Sequence, residues 1–157
     1  MRRLGLVAVS QPIFLDELGD NFVNALDDDY LARCYPVRRF LEQAIPVAFS
    51  TDAPVVQSFD PWSGIKAAVL RRARSGVVIA AAETISVAQA IEAYTAGSAY
   101  AEGTESFKGH LAPGQVADFV VVDRDPLRTE IEALDQLKTE EVYVGGERRW
   151  PTDDAGA

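Results

Sequence analysis

Two short apolar segments near the start of the chain limit what it can fold into. Leu4 to Val9 and Val47 to Phe49 are typical of buried strands, and Pro36 opens a helix with apolar residues at helical spacing between them. A strand, a helix and a second strand in this order predict a parallel pair. Two parallel strands leave both edges open, whereas parallel sheets are normally buried in larger arrays. The pattern therefore predicts one piece of a larger sheet.

Helix signals follow the second strand, and a weaker pattern precedes it. Phe14 to Leu31 is acidic and irregular, which predicts a long loop with a short helical piece. Asp60-Pro61 predicts the N-cap and first residue of a helix that ends near Arg74-Ser75-Gly76. Ser86 and Gln89 predict a capping box. The helix behind that box would bury one stripe of residues: Val87, Ala90, Ile91 and Tyr94.

The sequence changes character after Gly103, where short β signals replace helical ones. Pro113-Gly114 suits the centre of a type II turn. Asp118 to Asp123 brackets an apolar strand, and Gly145-Gly146 separates the two strands of a hairpin, Glu141 to Val144 and Glu147 to Trp150. The predicted organisation is an α/β unit over residues 1–103, a β unit over 104–150 and a disordered tail over 151–157.

Composition excludes several classes of function. The chain has 15 Lys+Arg against 24 Asp+Glu and a net charge of −9, which disfavours nucleic acid and anionic membranes as partners. Every apolar run is far shorter than the roughly 20 residues that a transmembrane helix needs, and the start of the sequence is unlike a signal peptide. These features predict a cytoplasmic protein. One His and one Cys are too few for a zinc site of the His/Cys type built from this chain alone.

Asp52 is the strongest candidate for chemistry. It directly follows the second predicted strand, where β/α proteins place their reactive groups. A carboxylate there can bind a metal ion or take a proton from water. The alternative interpretation is that Asp52 caps the turn into Ala53-Pro54, and the local sequence leaves both interpretations open.

Other polar residues favour structural interpretations. His110 lies shortly before the Pro-Gly turn and is more typical of a surface residue than of a metal ligand. Asp118 and Asp123 are interpreted as strand-end residues. The run Asp27-Asp28-Asp29 is interpreted as a solvated loop face without the spacing of a calcium site. Cys34 has a basic neighbour that could lower its pKa, but no second Cys, and is interpreted as structural.

Three stretches carry a family resemblance: Ala48 through Val55, Ile85-Ser86-Val87 with the helix after it, and Ala117 through Pro126. In order and spacing they resemble the last-strand motif, the penultimate helix and the terminal β segment of metal-dependent amidohydrolases, specifically the amidohydrolase-3 (YtcJ-like) group. The resemblance covers nearly the whole chain, from Gly5 and Gln11-Pro12 onward.

This resemblance implies a fold, an activity and a site. Residues 4–10 and 46–51 would be strands 7 and 8 of a TIM barrel, and residues 104–150 a β segment of a composite β-sandwich domain. Asp52 would be the strand-8 aspartate, which contacts the metal and carries the proton of the hydrolytic water. The complete enzyme would hydrolyse C–N bonds of small amide-type substrates with a divalent metal, for which the family implies zinc.

The sequence also departs from the family. The metal ligands of the family include a His-x-His pair on strand 1 and histidines on strands 5 and 6, whereas His110 is the only histidine in this sequence. We therefore expect the chain alone to bind metal poorly and to be inactive. It is either the C-terminal fragment of a C–N hydrolase or a non-catalytic module or relic. The open strand edges predict an oligomer or a complementing chain. A third interpretation, an unrelated small α/β binding protein, is disfavoured by the match at Ala117 through Pro126.

Overall fold

A parallel pair of strands stands at the centre of the α/β part. A computed structural model describes residues 1–151, in which β1 (Ala8–Ser10) and β2 (Val47–Phe49) form a two-stranded parallel sheet. The predicted pairing is therefore confirmed. The predicted start of the first strand at Leu4 is wrong, because Arg2–Leu4 forms a 3-10 helix that ends at Gly5 in the left-handed conformation.

The acidic stretch between the strands is helical, so the prediction of a long loop is corrected. Three short helices follow one another there: α1 (Ile13–Glu17), α2 (Gly19–Ala25) and α3 (Asp28–Leu31). Ile13 and Leu15 are buried and hold α1 in the core. Such tertiary packing overrides weak local preferences, which explains why the sequence pattern conceals these helices.

The helices on either side of β2 begin where the sequence predicts. α4 (Val37–Glu42) follows Pro36, and α5 (Pro61–Leu70) follows Asp60. The Asp60 carboxylate accepts a hydrogen bond of 3.1 Å from the Trp62 N–H, which satisfies one of the free donors at the start of α5.

α5 ends earlier than predicted. It stops at Leu70 instead of near Arg74, because Arg71 adopts the left-handed conformation with φ 52°. The Arg71 guanidinium is buried and donates hydrogen bonds to the carbonyls of Ile79 (2.9 Å) and Cys34 (2.7 Å). Burial lowers the pKa of Arg71 to about 10. These hydrogen bonds satisfy the buried guanidinium and connect the end of α5 to the segments that carry Cys34 and Ile79.

Two helices lie against β2. α6 (Val87–Tyr94) has the predicted capping box, in which the Ser86 hydroxyl accepts from the Gln89 N–H and the Gln89 side chain accepts from the Ser86 N–H. Ala90 in its predicted stripe is fully buried, and the other three residues are partly buried. α7 (Ala96–Glu102) approaches β2 closely at Gly97, where a Cβ atom would lie 2.1 Å from the Val47 carbonyl oxygen.

A second sheet occupies the C-terminal part. β3 (Phe119–Val122), β4 (Thr139–Val144) and β5 (Glu147–Trp150) are antiparallel in that order, which confirms the predicted strand and hairpin, although β4 begins at Thr139 instead of Glu141. The turn at Pro113-Gly114 is also confirmed, since the Gln115 N–H donates to the Ala112 carbonyl. Within residues 1–151, none of these three strands contains a buried residue.

One main core joins the two parts of the chain. It contains residues of β1, β2 and the helices around them, and also Leu134 and Leu137. Leu134 belongs to a 3-10 helix, Ile131–Gln136, so the segments predicted as 1–103 and 104–150 share buried contacts. A smaller cluster contains Leu15, Ala73 and Ile79.

The predicted tail over 151–157 is described only at Pro151, and residues 152–157 lie outside the described part of the chain. Among residues 1–151, no helix has the length and apolar character needed to cross a membrane.

Candidate functional site

Asp52 lies just past the carboxyl end of β2. Its φ of 55° is in the left-handed region, which Asp adopts more readily than most residues. Its carbonyl accepts a hydrogen bond of 3.0 Å from the Val55 N–H. Main-chain atoms therefore close the turn after β2.

The Asp52 carboxylate is not used by the fold. The residue is exposed, and no hydrogen bond or ion pair within the described part of the chain engages its side chain. A side-chain cap of the turn, which was the alternative interpretation of this residue, is therefore not formed. An exposed carboxylate at the end of a parallel strand is available to a ligand or to water.

Polar contacts fix the ends of the two strands. Gln11 Nε2 donates to Ser50 Oγ at 3.0 Å, and the Ser50 N–H donates to the Ser10 carbonyl at 2.9 Å. The Ser98 hydroxyl of α7 donates to the Phe49 carbonyl at 3.0 Å. The loop with Asp52 therefore departs from a fixed strand end.

Glu17 at the end of α1 holds the far side of the same loop. Its Oε2 accepts from the Gln57 N–H at 2.8 Å, its Oε1 accepts from the Ser58 N–H at 2.9 Å, and Arg74 lies 3.6 Å from it. Burial on its own would raise the pKa of Glu17, but the two N–H donors and Arg74 outweigh burial and hold the pKa below its usual value. Sequence reasoning missed Glu17, because its partners are backbone groups that no residue pattern marks.

The lone histidine lies apart from these contacts. His110 is exposed and lines a cavity of ≈ 590 Å³ beside α6 and α7, to which Asp52 does not contribute. An ion pair of 2.7 Å joins Lys108 to Glu102 at the same cavity. The structure thus places His110 and Asp52 in different surroundings.

The remaining aspartates are structural. Asp118 accepts a hydrogen bond of 2.7 Å from the Gly145 N–H and supports the hairpin turn. Asp123 accepts from the Lys138 N–H at 2.9 Å and pairs with Arg124, and these contacts, that N–H bond foremost, lower the pKa of Asp123. The prediction of strand-end roles is confirmed. Asp27 caps α3 through the Tyr30 N–H, so the interpretation of the acidic run as a loop face is corrected.

The thiol of Cys34 does not have the lowered pKa that a basic neighbour would give. Burial raises the pKa of Cys34, and this effect outweighs the opposing charge of Arg71. A protonated thiol is a poor nucleophile, which agrees with the structural interpretation of this residue.

The described residues do not form a complete metal site. Among residues 1–151, no group of three or more His, Cys, Asp or Glu side chains is arranged to hold a metal ion. Asp52 offers one carboxylate, whereas a catalytic zinc site usually has about three protein ligands. The donor set therefore does not fit a divalent metal by itself.

Comparison with known sequences identifies relatives that match nearly all of the chain. Residues 1–149 match the model of an amidohydrolase family, Amidohydro_3. The chain is 28% identical over 152 residues to N-substituted formamide deformylase of Arthrobacter pascens, which covers 96% of this chain and 28% of that protein. It is also 28% identical over 148 residues to the putative amidohydrolase YtcJ of Bacillus subtilis (strain 168), which covers 92% of this chain and 28% of that protein.

Solved structures resemble the fold. An uncharacterized metal-dependent hydrolase from Pyrococcus horikoshii OT3 superposes with a TM-score of 0.70 at 27% identity, over 83% of this chain and 27% of that protein. A second such hydrolase, from Pyrococcus furiosus, gives a TM-score of 0.65 at 30% identity, over 81% of this chain and 25% of that protein. The chain therefore spans little more than a quarter of the length of the relatives that it matches.

Proposed function

Because the chain belongs to the amidohydrolase family, we propose that it is the C-terminal part of an enzyme that hydrolyses C–N bonds in small amide-type substrates. The observation that carries this proposal is the free, exposed carboxylate of Asp52 at the carboxyl end of β2. The chain covers 28% of each curated relative, so the activity proposed is that of a longer protein.

The proposed fold of that longer protein is a TIM barrel with an attached β-sandwich. β1 and β2 would be barrel strands 7 and 8 within a partial barrel over residues 1–103, and residues 104–150 would belong to the composite sandwich. Two observations support this. The parallel pair has no third strand among residues 1–151, and β3 to β5 contain no buried residue there. Sheets of this kind are normally covered or extended by further elements.

Asp52 would act in this enzyme as the group that carries a proton. Hydrolysis of an amide needs removal of a proton from the attacking water and its delivery to the departing amine nitrogen. A carboxylate that the fold itself does not engage can accept the first proton and donate it in the second step. The unengaged side chain of Asp52 supports this role.

Asp52 would also be one ligand of the divalent metal in the complete enzyme, where zinc is the metal expected. Since the described residues do not fit a whole metal site, the other ligands would come from outside them. We therefore propose that the isolated chain is inactive and holds metal weakly.

The second candidate function is a non-catalytic module that associates with another chain. The absence of a metal-binding group among residues 1–151 favours it. The open sheets would then bind a complementing chain. The oligomeric state and the cytoplasmic location remain predictions from the sequence.

The experiment that separates these candidates uses the native product purified from its source cells. Its hydrolysis of amide substrates is assayed with and without added Zn²⁺. N-substituted formamides are the first substrates to test, because one relative is named a deformylase of such compounds. Release of amine that depends on metal supports the hydrolase. Failure of a metal-loaded native product to cleave any substrate in an amide panel supports the module.

A further inference from the structure

The segment that carries Asp52 is a loop that burial does not fix. None of the loop residues from Thr51 to Phe59 is buried, and Val55 and Phe59 are 61% and 75% exposed. Segments with few buried contacts open with little cost in free energy. Some other interaction must hold this loop if Asp52 is to have a defined place.

The Glu17 carboxylate supplies that interaction. Its two oxygens accept hydrogen bonds from two consecutive backbone N–H groups, those of Gln57 and Ser58, at 2.8 and 2.9 Å. Hydrogen bonds to a charged acceptor are stronger than neutral ones, and the Glu17 side chain is only 6% exposed.

These two hydrogen bonds, which we call the tether, hold backbone amides that lie one short turn from Asp52. The Val55 N–H donates to the Asp52 carbonyl at 3.0 Å, and Gln57 follows two residues later. Glu17 is the last residue of α1, the helix that follows β1. The contact therefore connects the segments that leave the carboxyl ends of both parallel strands.

We propose that Glu17 is a positioning residue, which fixes the loop between β2 and α5 and thereby the place of Asp52. This proposal deepens the proposed function and rests on it for its catalytic meaning. Glu17 itself acts through backbone groups of the loop and has no role in moving protons.

The charges around Glu17 determine how the tether responds to pH. Arg74 lies 3.6 Å from the carboxylates of both Glu17 and Asp16. The pKa of Glu17 lies below its usual value, so its stabilising contribution is present at neutral pH. It is lost as the pH falls through that lowered pKa, because the protonated acid is a weaker acceptor.

Hydrogen exchange of the full 157-residue chain tests the tether without any need for activity. In Glu17→Gln and Glu17→Ala we expect the amides of Gln57 and Ser58 to exchange at least about tenfold faster. Amides of β2 report that the variant is folded. Asp16→Asn is the matched control, since Asp16 also pairs with Arg74 but makes no bond to the loop, and exchange should stay unchanged.

A second measurement covers the case in which a Glu17 variant does not fold. Protection of the same two amides in the wild-type chain, corrected for intrinsic exchange, should decrease as the pH falls through the pKa of Glu17. Unchanged exchange in a folded Glu17→Gln variant, or protection in the wild type that is independent of pH in acid, would overturn the tether.

Kinetics of the native enzyme test the positioning role. We expect Glu17→Gln to lower kcat about tenfold with little change in KM. We also expect kcat of the wild type, but not of Glu17→Gln, to fall further in acid as Glu17 is protonated. If Asp52→Asn is inactive while Glu17→Gln keeps full kcat, the proposed function stands and the positioning role is overturned. If exchange accelerates in Glu17→Gln but Asp52→Asn is fully active, the tether stands and the proposed function fails.

Discussion

Asp52 is the residue on which the proposed chemistry depends, and replacement by Asn is the least disruptive test of it. Asn has the same shape and also tolerates the left-handed conformation, so the φ of 55° is preserved. We expect kcat of the native enzyme to decrease by about 100-fold or more, since the side chain can no longer carry a proton.

Asp60→Asn is the control for this change, because it removes a carboxylate at the other end of the same loop. Asn caps a helix about as well as Asp, so α5 should remain intact and activity unchanged. Steady-state kinetics with circular dichroism as a check on folding make the comparison. Full activity in Asp52→Asn would exclude Asp52 from the mechanism.

Gly64 provides a residue-level test of the packing in α5. A Cβ atom there would lie 1.9 Å from the Tyr94 hydroxyl oxygen, which is buried and without a hydrogen-bond partner among the described residues. We expect Gly64→Ala to lower the free energy of unfolding by about 1–3 kcal/mol, despite the better helix propensity of Ala.

The same contact predicts a partial rescue, measured by urea unfolding. Tyr94→Phe alone should change stability little, because the hydroxyl makes no bond. The double variant should recover part of the loss, since the next ring atom still lies 2.9 Å from the added Cβ. Unchanged stability in Gly64→Ala would contradict the close approach of these helices.

Among the secondary-structure elements, the sequence predicts correctly those features that depend only on neighbouring residues. The caps at Asp60 and Ser86 and the turn at Pro113-Gly114 depend on neighbouring atoms, and all three are present. α1 depends on burial of Ile13 and Leu15 in a distant core, and the end of α5 depends on a buried arginine. No pattern of adjacent residues contains that information.

The 3-10 helix Ile131–Gln136 is the element that joins the C-terminal part to the core. Leu134 is fully buried, and Lys66 of α5 pairs with Asp135 at 2.8 Å. We expect Leu134→Ala to cost about 2–5 kcal/mol of unfolding free energy. Leu127→Ala is the control, because Leu127 is 62% exposed and its loss should cost less than about 0.5 kcal/mol. Similar urea midpoints for the two variants would contradict this shared core.

At the scale of the whole molecule, the candidate site contains one residue whose position the sequence predicts and one whose position it does not. The position of Asp52 at a strand end could be predicted, because it follows from the strand pattern alone. Glu17 could not, since its contacts with Gln57 and Ser58 exist only once the chain has folded. The open edges of the parallel pair could likewise be predicted from the sequence, whereas the lack of a buried residue in β3 to β5 within residues 1–151 is visible only in the structure.

These sheets predict self-association of the isolated chain. Apolar side chains near β1 are exposed, with Leu4 at 72%, Leu6 at 47% and Val9 at 56%. Unpaired strand edges beside such side chains favour contacts with other chains. We expect sedimentation velocity to show larger species that grow with concentration. A single monomer across the concentration series would weigh against missing strands.

The intact mass of the native product in its source cells tests the proposal that this chain is the C-terminal part of a longer amidohydrolase. We expect a species much heavier than 17.1 kDa, with upstream sequence that contains a His-x-His segment. A native product of 17.1 kDa would contradict that proposal and would leave the partner-dependent module as the explanation of the open sheets.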